Sequence, residues 1–220
     1  MRGCLAHGVD PGEGSSIVSI LPIRAALFPF FDTREACSLR GVCHELKQAV
    51  ADFPWEDMDT VIRGGIAQWR ACFPAARGVN VRMYDLHDGP VRGTAVVDGD
   101  FVHFVGLRAL NMSWCSEVTD AAFVHLRGIE RLNMDCCDQA SITDAAFEHL
   151  KGIHSLVMPW CSQATITGAG LEHLKGISRL GMYECTDEAI AAAESLGLPV
   201  AKRLIIHNGA FDTSFVEAGQ

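Results

Sequence analysis

Four consecutive segments of the sequence align with one another, and this internal repeat constrains the fold more than any other feature. The segments begin at Gly106, Gly128, Gly152 and Gly176, so their starts lie 22, 24 and 24 residues apart. One unit of this length cannot bury its own apolar face. Neighbouring units must therefore stack on one another into an elongated solenoid.

The first half of each unit has the period of a β-strand. In the second unit Ile129, Leu132, Met134 and Cys137 form the apolar pattern, and the same spacing recurs in the other three units. Leu132 and Met134 are separated by one residue, which predicts a strand with both side chains on one face. Stacking the units places these strands side by side in a parallel sheet.

The second half of each unit has the signals of a short helix. Thr143 with Asp144 predicts a helix N-cap, and Phe147 and Leu150 lie three residues apart on one helical face. Gly152 follows as a helix C-cap, after a basic residue that suits the negative end of the helix. Each unit is therefore interpreted as strand, loop, helix and turn.

The pattern Leu-x-x-Leu-x-Leu-x-x-Cys, followed by Thr-Asp, resembles the cysteine-containing class of leucine-rich repeats, with Met in place of the last Leu. The resemblance covers residues 106–196. It implies an α/β fold, a leucine-rich-repeat solenoid with a parallel β-sheet on the concave side and helices on the convex side.

Weaker copies of the unit extend the array at both ends and bring the expected number of strands to about six. Downstream, Leu204 and Ile206 lie 24 residues after the Leu and Met of the fourth unit and predict a last strand. Upstream, Val81 and Met83 reproduce the Leu and Met spacing. The segment 66–73 predicts the helix of an atypical first unit.

The N-terminal part of the chain predicts a small amphipathic helical module, with Asp32 or Thr33 as a helix cap. Leu21-Pro22, Val42-Cys43 and a closing Trp55 resemble the anchors of an F-box. An F-box followed by cysteine-type leucine-rich repeats is a known family architecture. In that family the F-box binds the S-phase-kinase-associated adaptor of a cullin-type (SCF) E3 ubiquitin ligase, and the repeats hold a target protein.

The resemblance therefore implies a non-catalytic substrate-recognition subunit of the ubiquitin conjugation pathway. The expected adaptor-binding set, of which some residues face the adaptor and some the core of the module, is Leu21, Pro22, Leu27, Phe28, Leu39, Val42 and Leu46. The expected divisions are a flexible tail at 1–16, the F-box-like module at 17–56, atypical first repeats at 57–105, leucine-rich repeats at 106–196, and a last strand with a C-terminal cap at 197–220.

The register of the strands predicts where a target protein would bind. If Leu132 and Met134 face the core, the residues that alternate with them point to the open concave side of the sheet, as do Ser155 and Val157 in the next unit. Trp114 stands at the strand exit, and Trp, Tyr and Arg often dominate binding energy. The expected target-binding residues are Trp114, Arg131, Asn133, Trp160, Arg179 and Tyr183. The alternative is that the two indoles fold back and close the edge of the solenoid.

Composition argues against two classes of partner. The net charge of −9, without any cluster of Lys and Arg, argues against nucleic acid. The segment 17–31 is interrupted by Pro22, Arg24 and Pro29, so it is not expected to span a membrane, and residues 1–16 lack the apolar core of a secretory leader. We expect a cytoplasmic or nuclear protein with reduced cysteines and no cofactor.

One cysteine recurs in each unit, and two roles are open for this column. Four thiolates can hold zinc, but regular spacing along an array sets them in a line and does not make them converge. The favoured role is a small side chain that fills the turn and bonds the loop backbone. The cysteines of this column are Cys115, Cys137, Cys161 and Cys185.

One histidine also recurs in each unit, in the column His103, His125, His149 and His173. A metal site or a pH-sensitive site is conceivable, but inheritance on a partly solvated helix face is favoured. No catalytic constellation is recognised, and an enzyme that uses the adjacent Cys136 and Cys137 is the least favoured class. The main rival to the ligase subunit is a free-standing leucine-rich-repeat scaffold whose N-terminal helices cap the open end of the solenoid.

Overall fold

The computed structural model describes residues 26–62, 64–85, 89–90 and 93–201. Within these residues seven strands form an all-parallel sheet, and two further strands form a small antiparallel hairpin. The strands of the sheet are β1 (Glu56–Val61), β2 (Gly78–Asn80), β5 (Ala109–Asn111), β6 (Arg131–Asn133), β7 (Ser155–Val157), β8 (Arg179–Gly181) and β9 (Val200–Ala201), and those of the hairpin are β3 (Tyr84–Asp85) and β4 (Gly89–Pro90). This sheet, alternating with helices, is consistent with a leucine-rich-repeat solenoid.

The helices of the repeats are short, and three of them continue directly into a 3₁₀ turn. The α-helices are α1 (Thr33–Leu39), α2 (His44–Asp52), α3 (Ile66–Cys72), α4 (Asp120–Phe123), α5 (Asp144–Phe147), α6 (Gly168–Leu171) and α7 (Asp187–Ser195). The 3₁₀ segments are Phe28–Phe30, Asp98–Phe104, Val124–Leu126, Glu148–Leu150 and Glu172–Leu174. Among the described residues, no helix has both the length and the apolar character that crossing a membrane requires.

The predicted strand register of the four central units is confirmed. Leu110, Leu132, Leu156 and Leu180 are direct partners across neighbouring strands, and all four are buried. The Met two residues after each of them is also buried, so the alternation places both side chains in the core as expected. Gly152 follows the helical segment with a φ of 84°, the left-handed conformation in which glycine has no steric penalty.

The predicted N-caps are confirmed, and Asp120 and Asp144, which follow two of the capping threonines, each have a further contact. Thr143 caps α5 by accepting a hydrogen bond from the N–H of Ala145 (3.2 Å). The carboxylate of Asp120, in the preceding unit, accepts from the backbone N–H (2.7 Å) and the hydroxyl (2.6 Å) of Thr143. The same contacts join Asp98 to Thr119 and Asp144 to Thr167. This carboxylate ladder holds neighbouring units together on the helical side.

Replacing Asp120 with Ala is expected to lower the free energy of unfolding by about 1 to 3 kcal/mol, because two charge-assisted hydrogen bonds between units are lost. The matched control is Asp187→Ala, because Asp187 follows the N-cap Thr186 and is exposed. Its loss should stay below about 1 kcal/mol, the size of a helix-dipole contribution. Urea unfolding measures both changes. Equal losses would show that the ladder does not couple the units.

The upstream strand lies two residues earlier than predicted. Val79, and not Val81, is the partner of Leu110, so Val81 takes the Met position and Met83 lies beyond the strand. A shift of two residues leaves the inward face unchanged, which is why the alternation alone did not distinguish the two registers. Asn80 is aligned with Asn111 across the strands.

The prediction of six strands was wrong, because β1 adds a seventh at the N-terminal edge. Its sequence, Glu-Asp-Met-Asp-Thr-Val, contains three acidic residues and none of its residues is fully buried, so it lacks the repeat pattern. The last strand, β9, is also placed earlier than expected, since Leu180 pairs with Val200. Leu204 and Ile206 lie outside the described residues. The predicted helix at 66–73 is confirmed as α3.

The N-terminal helices pack against the same core as the repeats. Asp32, one of the two predicted caps, is the N-cap of α1, and α1 ends before a turn that contains Gly41, so two short helices form. Phe28 and Trp55 stack with ring centroids 5.3 Å apart, and Trp55 contacts Phe73 after α3. One continuous apolar cluster therefore runs from Phe28 to the end of the array.

Candidate protein-interaction surface

The residue before each repeat cysteine has a left-handed backbone. Trp114, Cys136, Trp160 and Glu184 have φ values of 63°, 54°, 53° and 57°. A residue other than glycine pays about 1 kcal/mol for this conformation, so its recurrence in four units marks a specific turn. We call this row of four residues the strand-exit row.

Hydrogen bonds show why the turn recurs. The N–H of Trp114 donates to the carbonyl of Asp135 (2.9 Å), and the N–H of Cys136 donates to that of Pro159 (3.0 Å). The parallel ladder therefore continues past the end of each strand. The left-handed residue then turns the chain, so that the following cysteine enters the core while the residue of the strand-exit row remains more exposed.

The repeat cysteines fill the turn and bond backbone, as the favoured role predicted. The thiol of Cys137 donates to the carbonyl of Met112 in the preceding unit (3.3 Å), and that of Cys161 donates to Met134 (3.2 Å). Burial raises the pKa of Cys137 to about 12, so the thiol stays protonated at neutral pH. In the part of the chain that the structure describes, no three His, Cys, Asp or Glu side chains are grouped to hold a metal ion.

The histidine column lies on a partly solvated face, as the favoured interpretation predicted. His103, His125, His149 and His173 are all half-buried, in the 3₁₀ turns that follow the repeat helices or in the equivalent segment Asp98–Phe104. The Nδ1 atom of His149 accepts a hydrogen bond from Nε of Arg127 in the preceding unit (3.3 Å).

Each tryptophan of the strand-exit row contacts a tyrosine and remains substantially exposed. The rings of Trp114 and Tyr84 stack with centroids 4.7 Å apart, and those of Trp160 and Tyr183 meet edge to face at 4.7 Å. The exposed fractions of Trp114 and Trp160 are 43% and 45%. Tyr84 was not among the predicted residues, although it is aromatic and follows β2 closely. The result is two aromatic pairs at the ends of the strands.

Cys136 lies between the two aromatic pairs in the order of the strands, and the carboxylate of Asp135 is beside it. Asp135 is only 4% exposed, and within the described residues its Oδ1 atom accepts no hydrogen bond. Burial raises the pKa of Asp135, although hydrogen bonds from Cys136 oppose the shift. Burial and then the charge of Asp135 raise the pKa of Tyr183. Asp135, Cys136 and Tyr183 therefore lie close enough for the charge of Asp135 to disfavour ionisation of the other two side chains.

The concave face is less open than the sequence predicted. Arg131 and Arg179 are exposed, and Arg131 forms an ion pair with Glu56 of β1 (3.1 Å). Ser155 and Val157, expected to face solvent, are buried. Small side chains between neighbouring strands about 4.8 Å apart leave little room for water.

Asn133 is half-buried, and its side-chain oxygen accepts the N–H of Asp135 (3.0 Å). This contact helps to shape the strand exit. Asn111 makes the same contact with the N–H of Ser113 (3.0 Å). The part of the predicted set with large accessible side chains thus consists of the tryptophans, the arginines and Tyr183.

The predicted adaptor-binding residues divide into four groups. Leu21 and Pro22 lie outside the described residues. Leu27 and Val42 are exposed, whereas Phe28 is buried against Trp55. Two more are half-buried, Leu39 and Leu46.

No protein-family model and no curated protein matches the chain. A chain from the crystal structure of the yeast Rad7 and Elc1 complex is similar, with 14% identity and a TM-score of 0.36 over 82% of this chain and 42% of that one. A chain from the structure of the Drosophila Toll–Spatzle complex has 12% identity and a TM-score of 0.34 over 70% of this chain and 27% of that one. The chain thus spans less than half the length of either. The α/β solenoid is assigned from the strand register and the contacts between units described above.

Proposed function

We propose that the chain is a non-catalytic protein-binding solenoid that serves as the substrate-recognition subunit of a cullin-type ubiquitin ligase. The observation that carries the binding role is the strand-exit row, where two tryptophans keep nearly half of their surface exposed beside tyrosines. Exposed aromatic side chains on a rigid scaffold supply large contact areas at a low entropic cost. The strand exits would hold the target protein.

The proposed adaptor surface is the exposed part of the N-terminal module. Leu27 and Val42 are large apolar side chains left in solvent, in a module whose Phe28, Ala36 and Val50 are part of the core. Covering apolar side chains of this kind with a partner protein is favourable, because their apolar surface is removed from water. Leu39 and Leu46 would widen the contact, and Leu21 with Pro22 would complete it, as the F-box resemblance implies.

A second candidate function is a free-standing scaffold without a ligase role. It is favoured by the continuity of the core, in which Phe28, Ala36 and Val50 join the apolar cluster of the repeats. In this case the N-terminal helices would cap the open end of the solenoid, as terminal units of repeat proteins must.

Replacing Leu27 and Val42 together with Asp is expected to abolish co-elution with a purified S-phase-kinase-associated adaptor in size-exclusion chromatography. Each Asp would place a carboxylate in an apolar interface, where burial without a partner opposes binding. Simultaneous Leu21→Ala and Pro22→Ala substitution should have the same effect. The control is Val102→Asp with Val124→Asp, which changes two exposed valines of the helical side and should leave adaptor binding intact. Failure of the unaltered chain to bind the adaptor would contradict the ligase role and leave the free-standing scaffold.

A further inference from the structure

A groove with a volume of about 570 Å³ lies between the N-terminal segment and β1. Two stretches of chain line it, within residues 28–35 and 53–59. Phe53 is half-buried and packs edge to face on Phe28 (5.3 Å) and Trp55 (4.7 Å), which are buried behind it, so Phe53 and Phe30 form the accessible apolar wall of the groove. Phe30 also lines the groove and is 83% exposed. A phenyl ring so exposed on the wall of a groove is available to a partner.

The same groove is strongly acidic. Five carboxylates line it, and no Lys, Arg or His is present among the described residues that line it. The carboxylates are those of Asp32, Glu35, Glu56, Asp57 and Asp59. Glu56 forms the ion pair with Arg131 noted above. The sum of the charges in the lining is therefore negative even with this pair in place.

Several of these carboxylates are held in place by the fold. Asp32 and Glu35 form the capping box of α1, with contacts of 2.6 and 3.1 Å. Burial alone would raise the pKa of Asp57, but hydrogen bonds from Thr33 and Thr60 outweigh it and hold the pKa below its ordinary value. Asp57 therefore stays ionised at neutral pH. These backbone and hydroxyl contacts fix the orientation of the charges without neutralising them.

We propose that this groove binds a basic amphipathic segment of a partner protein. An apolar side chain of the segment would pack on the wall formed by Phe30 and Phe53, and flanking Lys or Arg side chains would meet the carboxylates. Aromatic rings beside carboxylates suit such cations, because both the ring face and the carboxylate attract positive charge. A solvated acidic surface alone would not require the apolar wall. The inference does not depend on the ligase role, since it applies equally to a free-standing scaffold.

The first test uses the full chain and a fluorescein-labelled probe peptide of about twelve residues, with four Lys or Arg flanking two Phe. Fluorescence anisotropy should show saturable binding that weakens when NaCl is raised from about 50 to about 500 mM, because charge attraction is screened. A peptide with Glu in place of each basic residue should not bind. A peptide with Ser in place of Phe should bind about tenfold more weakly, because the apolar contact is lost.

Point variants locate the binding. Asp59→Lys should weaken binding of the probe about threefold to tenfold, whereas Glu148→Lys, the same charge change at an exposed residue of the helical side, should alter it by less than about twofold. Phe30→Ala should weaken it about tenfold, and Val102→Ala, which shortens an exposed valine elsewhere, should have no effect. Far-UV circular dichroism verifies that each variant is folded.

Three results would overturn the proposal. The first is equal weakening by Asp59→Lys and Glu148→Lys, which would mean that net charge alone attracts the peptide. The second is equal affinity for the probes with and without Phe, which would mean that the apolar wall is not used. The third is the absence of binding to the unaltered chain at concentrations up to about 1 mM. Adaptor co-elution is measured separately, so its failure is distinguishable from each of these results.

Discussion

Truncating Leu132 or Leu156 to Ala is expected to lower the free energy of unfolding by about 2 to 5 kcal/mol, because each change leaves a cavity in a packed core. The two side chains are direct partners across β6 and β7, and both are buried. Each unit of a solenoid is stabilised mainly by its neighbours, so a loss in a central unit weakens the interfaces on both sides. Either change should therefore destabilise the whole repeat array.

The matched control for this series is Val124→Ala, which shortens an apolar side chain of the same array that is exposed. It should alter the free energy of unfolding by less than about 0.5 kcal/mol. Equilibrium unfolding in urea, followed by circular dichroism, measures all three variants. Cooperative unfolding of both leucine variants at an unchanged midpoint would refute the strand register.

Replacing Trp114 and Trp160 together with Ala is expected to weaken binding of the target protein by about 30-fold or more. Aromatic residues at the centre of an interface commonly contribute more than 1 to 2 kcal/mol each. The cost to stability should be much smaller, because both indoles are substantially exposed and each loses mainly its contact with a tyrosine, worth about 0.5 to 1.5 kcal/mol.

The control for the tryptophan pair is Trp114→Phe with Trp160→Phe, which keeps an aromatic ring against each tyrosine. This variant should retain most of the affinity and the stability of the unaltered chain. Thermal unfolding and a binding titration are measured on the same samples. A double Ala variant that is strongly destabilised but binds its target normally would show that the indoles close the edge of the solenoid and do not form the binding surface.

The repeat fold was predictable from the sequence because one spacing recurs four times. The interval between Leu132 and Met134 sets the face of the strand, and the interval to Cys137 sets the turn, so the central register follows without further information. At the ends of the array the pattern fades. A shift of two residues at Val79 and Val81 keeps the same face, so only the pairing with Leu110 identifies the correct register.

The candidate surface was predictable only in part. The positions of Trp114 and Trp160 followed from the register, but their left-handed backbone did not. Trp is not a residue type that favours a positive φ, so the sequence carries no signal for this conformation. The pairing of Trp114 with Tyr84 depends on the path of the chain after β2, which has no repeat pattern. The aromatic groove beside β1 was also missed, since it joins two separate stretches of chain.

The central claim is that a partner protein binds at the strand exits, and site-specific photo-crosslinking in cells tests it most directly. A photoreactive phenylalanine derivative is incorporated at position 114 or 160, and, as the control, at position 124 on the exposed helical side. The account predicts a discrete crosslinked protein from positions 114 and 160 and none from position 124. Equal crosslinking from position 124, or none from positions 114 and 160 in a folded chain, would contradict it.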